Sequence, residues 1–272
     1  MILNTNADLL ILFSYNKKES IHGLSGHLFE VLDYYYYFKK KNLNVKCLIP
    51  EVLNKNNFYK IINNHYLNLE FDINDFYFDK PDIIKCKKLL LVDGNYNFIN
   101  EYDIRIYGEI YSFACGFSYF YPNKKPENLT LLYDKEVYGE LEGIEYVKKI
   151  LPHLNYIPGD REFAYITHNC REYNPSEIIE KYPNILIYSD YLCGKNITHN
   201  PVLNWNFSKY IYTPISRKFD CSPRQVIECR ILNIPIEYWK IDYKDPGLEV
   251  RKNNDVNRYI LTENDELLDI IF

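Results

Sequence analysis

The chain is poor in the features that most readily settle a class. It has one Met, two Trp and ten Gly in 272 residues. Neither a Gly-x-Gly-x-x-Gly fingerprint nor a Walker-type loop occurs, so a dinucleotide fold of the usual kind and a P-loop enzyme are not indicated. No apolar run approaches the ~20 residues of a membrane helix, and no membrane partner is expected. The seven Cys are odd in number and irregularly spaced. That argues against a disulfide framework and for a reducing, cytoplasmic setting. His168, Cys170, Cys193, His199 and Cys221 do not fall at structural-zinc spacings, so no metal is expected. Basic residues do not dominate either. The net charge is −5 and the pI about 5.8, so contact with nucleic acid would need a local patch. The opening stretch MILNTNADLLILFS lacks a basic flank and a cleavage site; it reads as a strand, not as a secretion signal.

What is present is an ordinary globular composition, 47% hydrophobic and 25% charged. The 28 Tyr, with many Asn, Lys and Ile, look like AT-rich coding bias. Asp8–Ser14 is a continuous apolar run of the kind buried on both faces of a parallel sheet. A polar loop with Gly23 and Gly26 follows. A helix over about His27–Lys41 comes next, with Leu28, Val31, Leu32, Tyr35 and Phe38 on one face. Val45–Ile49 is a second strand. Glu51–Asn63 reads as helix, and the alternation in Leu67–Asp79 allows a strand. Lys88–Val92 and Ile104–Tyr111 complete an open, doubly wound βαβαβ pattern. The Tyr34–Tyr37 run beside Lys39–Lys41 reads mainly as helix packing rather than as a base-stacking surface.

Tyr121–Asn128 is Pro-, Lys- and Asn-rich without periodicity and reads as a linker. The α/β pattern then restarts. Strands are expected at Thr130–Tyr133, Phe163–Thr167, Asn184–Ser189 and Tyr210–Thr213, and helices at Glu140–Leu151, Pro175–Lys181 and Thr262–Ile271. The expected division is 1–123 and 129–272, two Rossmann-like doubly wound domains facing a central cleft.

The most informative stretch is Tyr210–Trp239. Ser222 is a strong N-cap, Pro223 fits the first helical position and Gln225 completes a capping box. The helix should end near Asn233, ahead of a strand from Ile234. Arg217, Lys218 and Arg224 crowd the helix start, where cations oppose the dipole unless an anion is bound; a phosphate ligand resolves that conflict. Glu228 sits two turns into that helix, away from the N-terminal anion position, and can reach a hydroxyl attached to that anion. A second strand-to-helix turn holds His22, Gly23, Ser25, Gly26 and His27. Its glycines allow close backbone approach to a ligand, and either His can serve as a general base. Asp93 follows the buried Lys88–Val92 strand and is a third candidate base. His168 and Arg171 end another strand and suit a base or phosphate.

Glu228-Cys229 followed by Asn233-Ile234-Pro235-Ile236 resembles the donor-binding segment of GT-B glycosyltransferases, where Glu and a small residue precede Gly-x-Pro-Val. Asn233 stands where that family has Gly, and Phe219–Ser222 departs from its usual acidic or Gly-rich pair. The resemblance covers about fifteen residues, and the tandem halves accord with it. It implies a GT-B-type fold and transfer of a sugar from a nucleotide-diphosphate sugar, a UDP-sugar first among them, to an acceptor hydroxyl. Glu228 would bind the ribose, and Arg217, Lys218, Ser222 and Arg224 the diphosphate. His22, His27 or Asp93 would activate the acceptor, with no cofactor and no metal, in agreement with the lack of a convincing Asp-x-Asp motif. Compact members of this kind include bacteriophage enzymes that glycosylate modified DNA. The analogy makes double-stranded hydroxymethylated DNA a candidate acceptor and the host cytoplasm the setting. Two alternatives stay open: a non-catalytic nucleotide or sugar-phosphate binder of the same shape, and a nucleotide-sugar epimerase.

Overall fold

The structure is a computed structural model of the chain. It describes residues 1–13, 26–50, 55, 56, 58, 59, 62, 71–92, 103–113, 127–133, 135, 139–146, 149–151, 157–166, 174–189, 192–198, 206–213, 224–239, 259–261 and 265–272. Among these residues the chain is α/β and every strand pair is parallel. No helix among them is long and apolar enough to cross a membrane.

The first sheet is built from β1 (Ile2–Asn4), β2 (Leu9–Leu12), β3 (Val45–Leu48), β4 (Phe76–Tyr77), β5 (Ile83–Leu91), β6 (Arg105–Phe113), β7 (Leu129–Tyr133) and β8 (Ile144–Glu145), in the order β4-β3-β2-β5-β6-β7-β8. β1 and β2 both pair with β5, at its start and its end respectively. The apolar run in β2 is buried throughout because its side chains alternate between two cores. Leu9 and Ile11 join one, Leu10 and Leu12 the other. The first of these cores lies under α1 (Gly26–Lys40). That helix is buried on most of its circumference, Glu30 and Asp33 included, as expected of one enclosed on several sides. Tyr34, Tyr35, Tyr37 and Phe38 are all buried, so the Tyr run is packing, as the sequence suggested. Tyr36 is half-buried, with the Lys40 ammonium 4.6 Å from its ring centre.

One polar group anchors this core. Asp75 is 3% exposed, at the end of a short 3-10 turn, Ile73–Asp75. It accepts a hydrogen bond from the Tyr35 hydroxyl at 2.6 Å and is paired with Lys39 at 2.7 Å and with Lys46. Burial opposes its ionisation, but the donors from Lys39, Lys46 and Tyr35 outweigh burial and hold the carboxyl below its usual range. Three elements distant in sequence are thereby joined: α1, β3 and the turn before β4.

The second sheet comprises β10 (Glu162–Tyr165), β11 (Leu186–Tyr188), β12 (Ile197–Thr198), β13 (Lys209–Tyr212) and β14 (Ile236–Tyr238), in the order β12-β11-β10-β13-β14. Helices cover both faces. Val226 and Cys229 of α3 (Arg224–Ile231) pack with Phe163, Tyr210 and Tyr212 on one. Ile178 of α2 (Pro175–Lys181) packs with Ala164, Ile187 and Ile211 on the other. Asn174 caps α2, accepting from the Ser176 amide at 3.0 Å, as its sequence predicts.

One expectation is corrected. Glu140–Leu151 is not a helix. Ile144–Glu145 pairs with β7, and β9 (Lys149–Leu151) pairs with β15 (Tyr259–Leu261). Gly143 lies so close to β7 that a Cβ there would collide with the Leu131 carbonyl. Tertiary contact with a sheet edge thus overrides the apparent helical spacing. The first sheet also runs on beyond the linker expected at 121–128. β7 continues both apolar rows, with Leu132 in one core and Leu129 in the other. The last helix, α4 (Glu266–Ile271), places Leu267 and Ile271 in the first sheet's core rather than the second's. The Lys41–Asp265 ion pair and the Phe38 and Phe272 rings, 6.2 Å apart, fasten it there.

Candidate functional site

In an open parallel sheet, a crevice forms where neighbouring strands send their connections in opposite directions. Among the described strands, each of the two larger sheets has one such point. In the first, β2 leads to β3 on one side while β5, its neighbour on the other, leads to β6. The final registered pair there is Leu12 with Leu91, and the Val92 amide donates to the Leu12 carbonyl at 3.2 Å. In the second sheet, β10 leads to β11 and its neighbour β13 leads to β14. Ala164 is registered with Ile211, and the Thr213 hydroxyl donates to the Tyr165 carbonyl just beyond.

The candidate residues sort onto these two points by connectivity. His22, Gly23 and Ser25 lie between β2 and α1, outside the described residues. Gly26 is the first residue of α1 and His27 stands in its first turn; the His27 side chain is outside the description. Asp93 follows Val92, the last described residue after β5, and lies outside it too. The loops that carry the three candidate bases therefore leave from adjacent strand ends at the first switch point. His168 and Arg171 follow β10, and Arg217, Lys218 and Ser222 follow β13. All five lie outside the described residues, on the two connections that diverge at the second switch point. Arg224 opens α3, its side chain again outside the description.

Glu228 is described and is 2% exposed. A solvated surface glutamate on a plain helix is thereby excluded. A carboxylate this deep persists only with polar partners, and its charge adds to the burial that pushes the neighbouring Cys229 thiol well up. The end of α3 follows its sequence closely. Asn233 has φ 57, the left-handed conformation that Gly takes most easily. The Ile234 amide donates to the Cys229 carbonyl at 2.7 Å and the Asn233 amide to Arg230 at 3.1 Å. This is a complete Schellman closure, with Ile234 and Cys229 in one apolar cluster. The cap delivers the chain through Pro235 straight into β14, whose Tyr238 is registered with Tyr212 of β13.

Thr213 carried no weight in the sequence, yet its hydroxyl ties β13 to β10 at the mouth of the second switch point. A Thr ahead of a Pro at a strand end is the only signal that pointed to it. Among the described residues no three His, Cys, Asp or Glu side chains converge as metal ligands would. A shallow groove of about 600 Å³ lies elsewhere, at the opposite end of the first sheet.

Comparison with family models, with curated proteins and with solved structures returns no match to this chain.

Proposed function

We propose that the chain is a glycosyltransferase of GT-B type that takes a nucleotide-diphosphate sugar as donor, a UDP-sugar first, and an acceptor hydroxyl. The supporting observation is the second switch point. A basic connection carrying Arg217 and Lys218 enters α3 there, a buried Glu228 follows four residues after the helix start, and Asn233 takes the left-handed cap. Free amides and cations at a helix start favour a diphosphate, and a buried carboxylate one turn on suits ribose hydroxyls. The second sheet would hold the donor. The first switch point would hold the acceptor, with His22, His27 or Asp93 as base, and a hydroxymethylated base in double-stranded DNA is one acceptor to try.

The chemistry asks for three things: a base on the acceptor hydroxyl, positive groups on the departing diphosphate, and exclusion of water. The test is a thermal-shift screen of UDP, UDP-glucose and other sugar nucleotides, followed by assay of UDP release with and without hydroxymethylated duplex DNA. Stabilisation by sugar nucleotides and acceptor-dependent UDP release support the proposal. Stabilisation without turnover leaves only a binding protein, and a new sugar nucleotide formed without acceptor identifies an epimerase. No shift with any sugar nucleotide removes the donor site.

A further inference from the structure

At the N-terminal end of the first sheet, three adjacent strands lose regularity at the same level. β1 and β2 are separated by Thr5–Asp8 while both pair with β5. The register of β5 against β6 shifts between Lys85 and Lys88. Gly108 faces this bulge with φ +153, and a Cβ there would collide with the Cys86 carbonyl. The bulge is thus built into the sequence of both strands, as bulges beside sites commonly are. The result is an open groove of about 600 Å³ lined by Asn4, Thr5, Asn6, Lys85, Lys87 and Tyr107, together with Ile83 and Cys86.

Its chemistry is selective. The lining holds two ammonium groups and no carboxylate, in a chain of net charge −5. Lys87 is already paired with Asp8 at 2.7 Å. Lys85 lies 5.9 Å from the Tyr107 ring centre, which leaves its ammonium as the groove's available cation. Tyr107 is 57% exposed, among the most exposed large aromatics described. A large exposed aromatic beside an ammonium is a platform for a base with its phosphate. The Asn4 and Asn6 amides can pair with sugar hydroxyls or base edges. The volume falls within the range of small-molecule sites, about 300–1,000 Å³.

We propose that this groove binds one nucleotide unit, with the base on Tyr107 and the phosphate at Lys85. It is separate from the first switch point, and none of its lining residues belongs to the second sheet. From Lys85 to the end of β5 at Leu91 is about 20 Å of extended strand, and the switch points lie at the C-terminal strand ends. The unit can be a free mononucleotide or one residue of a single strand passing across the open rim. This inference does not depend on the transferase reading.

The test titrates the full chain with UMP, AMP and a ten-residue thymidine oligonucleotide by calorimetry, alongside Tyr107→Ala, Lys85→Ala and Arg224→Ala variants. The expected result is saturable binding that weakens about tenfold in each groove variant and persists in Arg224→Ala. The groove variants should keep the wild-type melting temperature, because both side chains are exposed. Preference for the oligonucleotide identifies the strand as the source, and preference for UMP or AMP the free nucleotide. The proposal is overturned if no probe saturates, or if both groove variants bind as the wild type does. Loss confined to Arg224→Ala also overturns it, by placing the nucleotide at the second sheet alone and leaving the transferase reading intact.

Discussion

At the residue scale, the most consequential side chain described is Asp75. It holds Tyr35, Lys39 and Lys46 together from a position 3% exposed. Removing one member of a fully buried ion pair costs about 3–5 kcal/mol. Here both lysines keep access to water, with side chains 36% and 22% exposed. The relevant scale is therefore that of hydrogen bonds to a charge, about 1.5–3 kcal/mol. Asp75→Asn should lower stability by that amount in urea unfolding near neutral pH. The sign with pH follows from the depressed carboxyl. Its contribution is complete above the unfolded value of about 3.9 and is lost as pH falls through the lower folded value. The wild type and Asp75→Asn should therefore converge in stability as the medium becomes strongly acidic. A constant gap down to low pH would show that Asp75 acts by shape and not by charge. A second residue-scale test concerns Glu228. Glu228→Gln retains the shape of the buried side chain and should weaken UDP binding by about 1.5–3 kcal/mol, the worth of a charge-assisted hydrogen bond. Unchanged UDP affinity, read by calorimetry on a variant that melts normally, would remove the ribose role.

At the scale of elements, the legible parts of the chain were those whose local and tertiary preferences agree. The β2 run, the capped α2 and the Tyr210–Trp239 unit could be read because a continuous apolar run, an Asn-Pro start and an Asn-x-Pro stop each have one cheap solution. The split of the opening stretch into β1 and β2, and the β8–β9 region, could not be read in the same way. Ile2–Asn4 is strand only because it pairs with Ile83–Lys85, and Gly143 was the one local hint that Ile144 belongs to a sheet edge. The candidate site divides along the same line. Chain position alone places the candidate loops at strand ends, but which ends are neighbours depends on strand order, and that is not local information. The destination of α4 was equally hidden, since an amphipathic helix does not name its partner. Its packing now gives a prediction. Leu267 is fully buried in the first core, so Leu267→Ala should cost about 2–5 kcal/mol, the range for large-to-small changes in cores. The loss should appear in the unfolding of the first sheet, although the mutation lies close to the chain's end. A variant that melts as the wild type does would mean that α4 contributes nothing to that core.

At the scale of the whole molecule, the apolar clusters fall into two sets, one pair on each sheet. Two separately packed sheets in one chain are a common reason for departure from two-state unfolding. The sequence supplies a natural reporter for separating them. Its two Trp, Trp205 and Trp239, both lie in the part of the chain that forms the second sheet, and Trp239 packs in that sheet's core with Ile211 and Ile178. Trp fluorescence should follow the second sheet, while far-UV circular dichroism follows both. A ligand that binds only the native form of one core stabilises it by mass action, by about 2.7 kcal/mol at a hundredfold excess over Kd. If the donor nucleotide occupies the second switch point, UDP should move the fluorescence transition to higher urea. Any separate transition seen only by circular dichroism should stay where it was. The Leu267→Ala variant should show the converse, an earlier first-sheet transition with the UDP-dependent fluorescence shift preserved. UDP acting on the circular-dichroism component alone would place the nucleotide on the first sheet, and the donor assignment to Arg217, Lys218 and Glu228 would have to be given up.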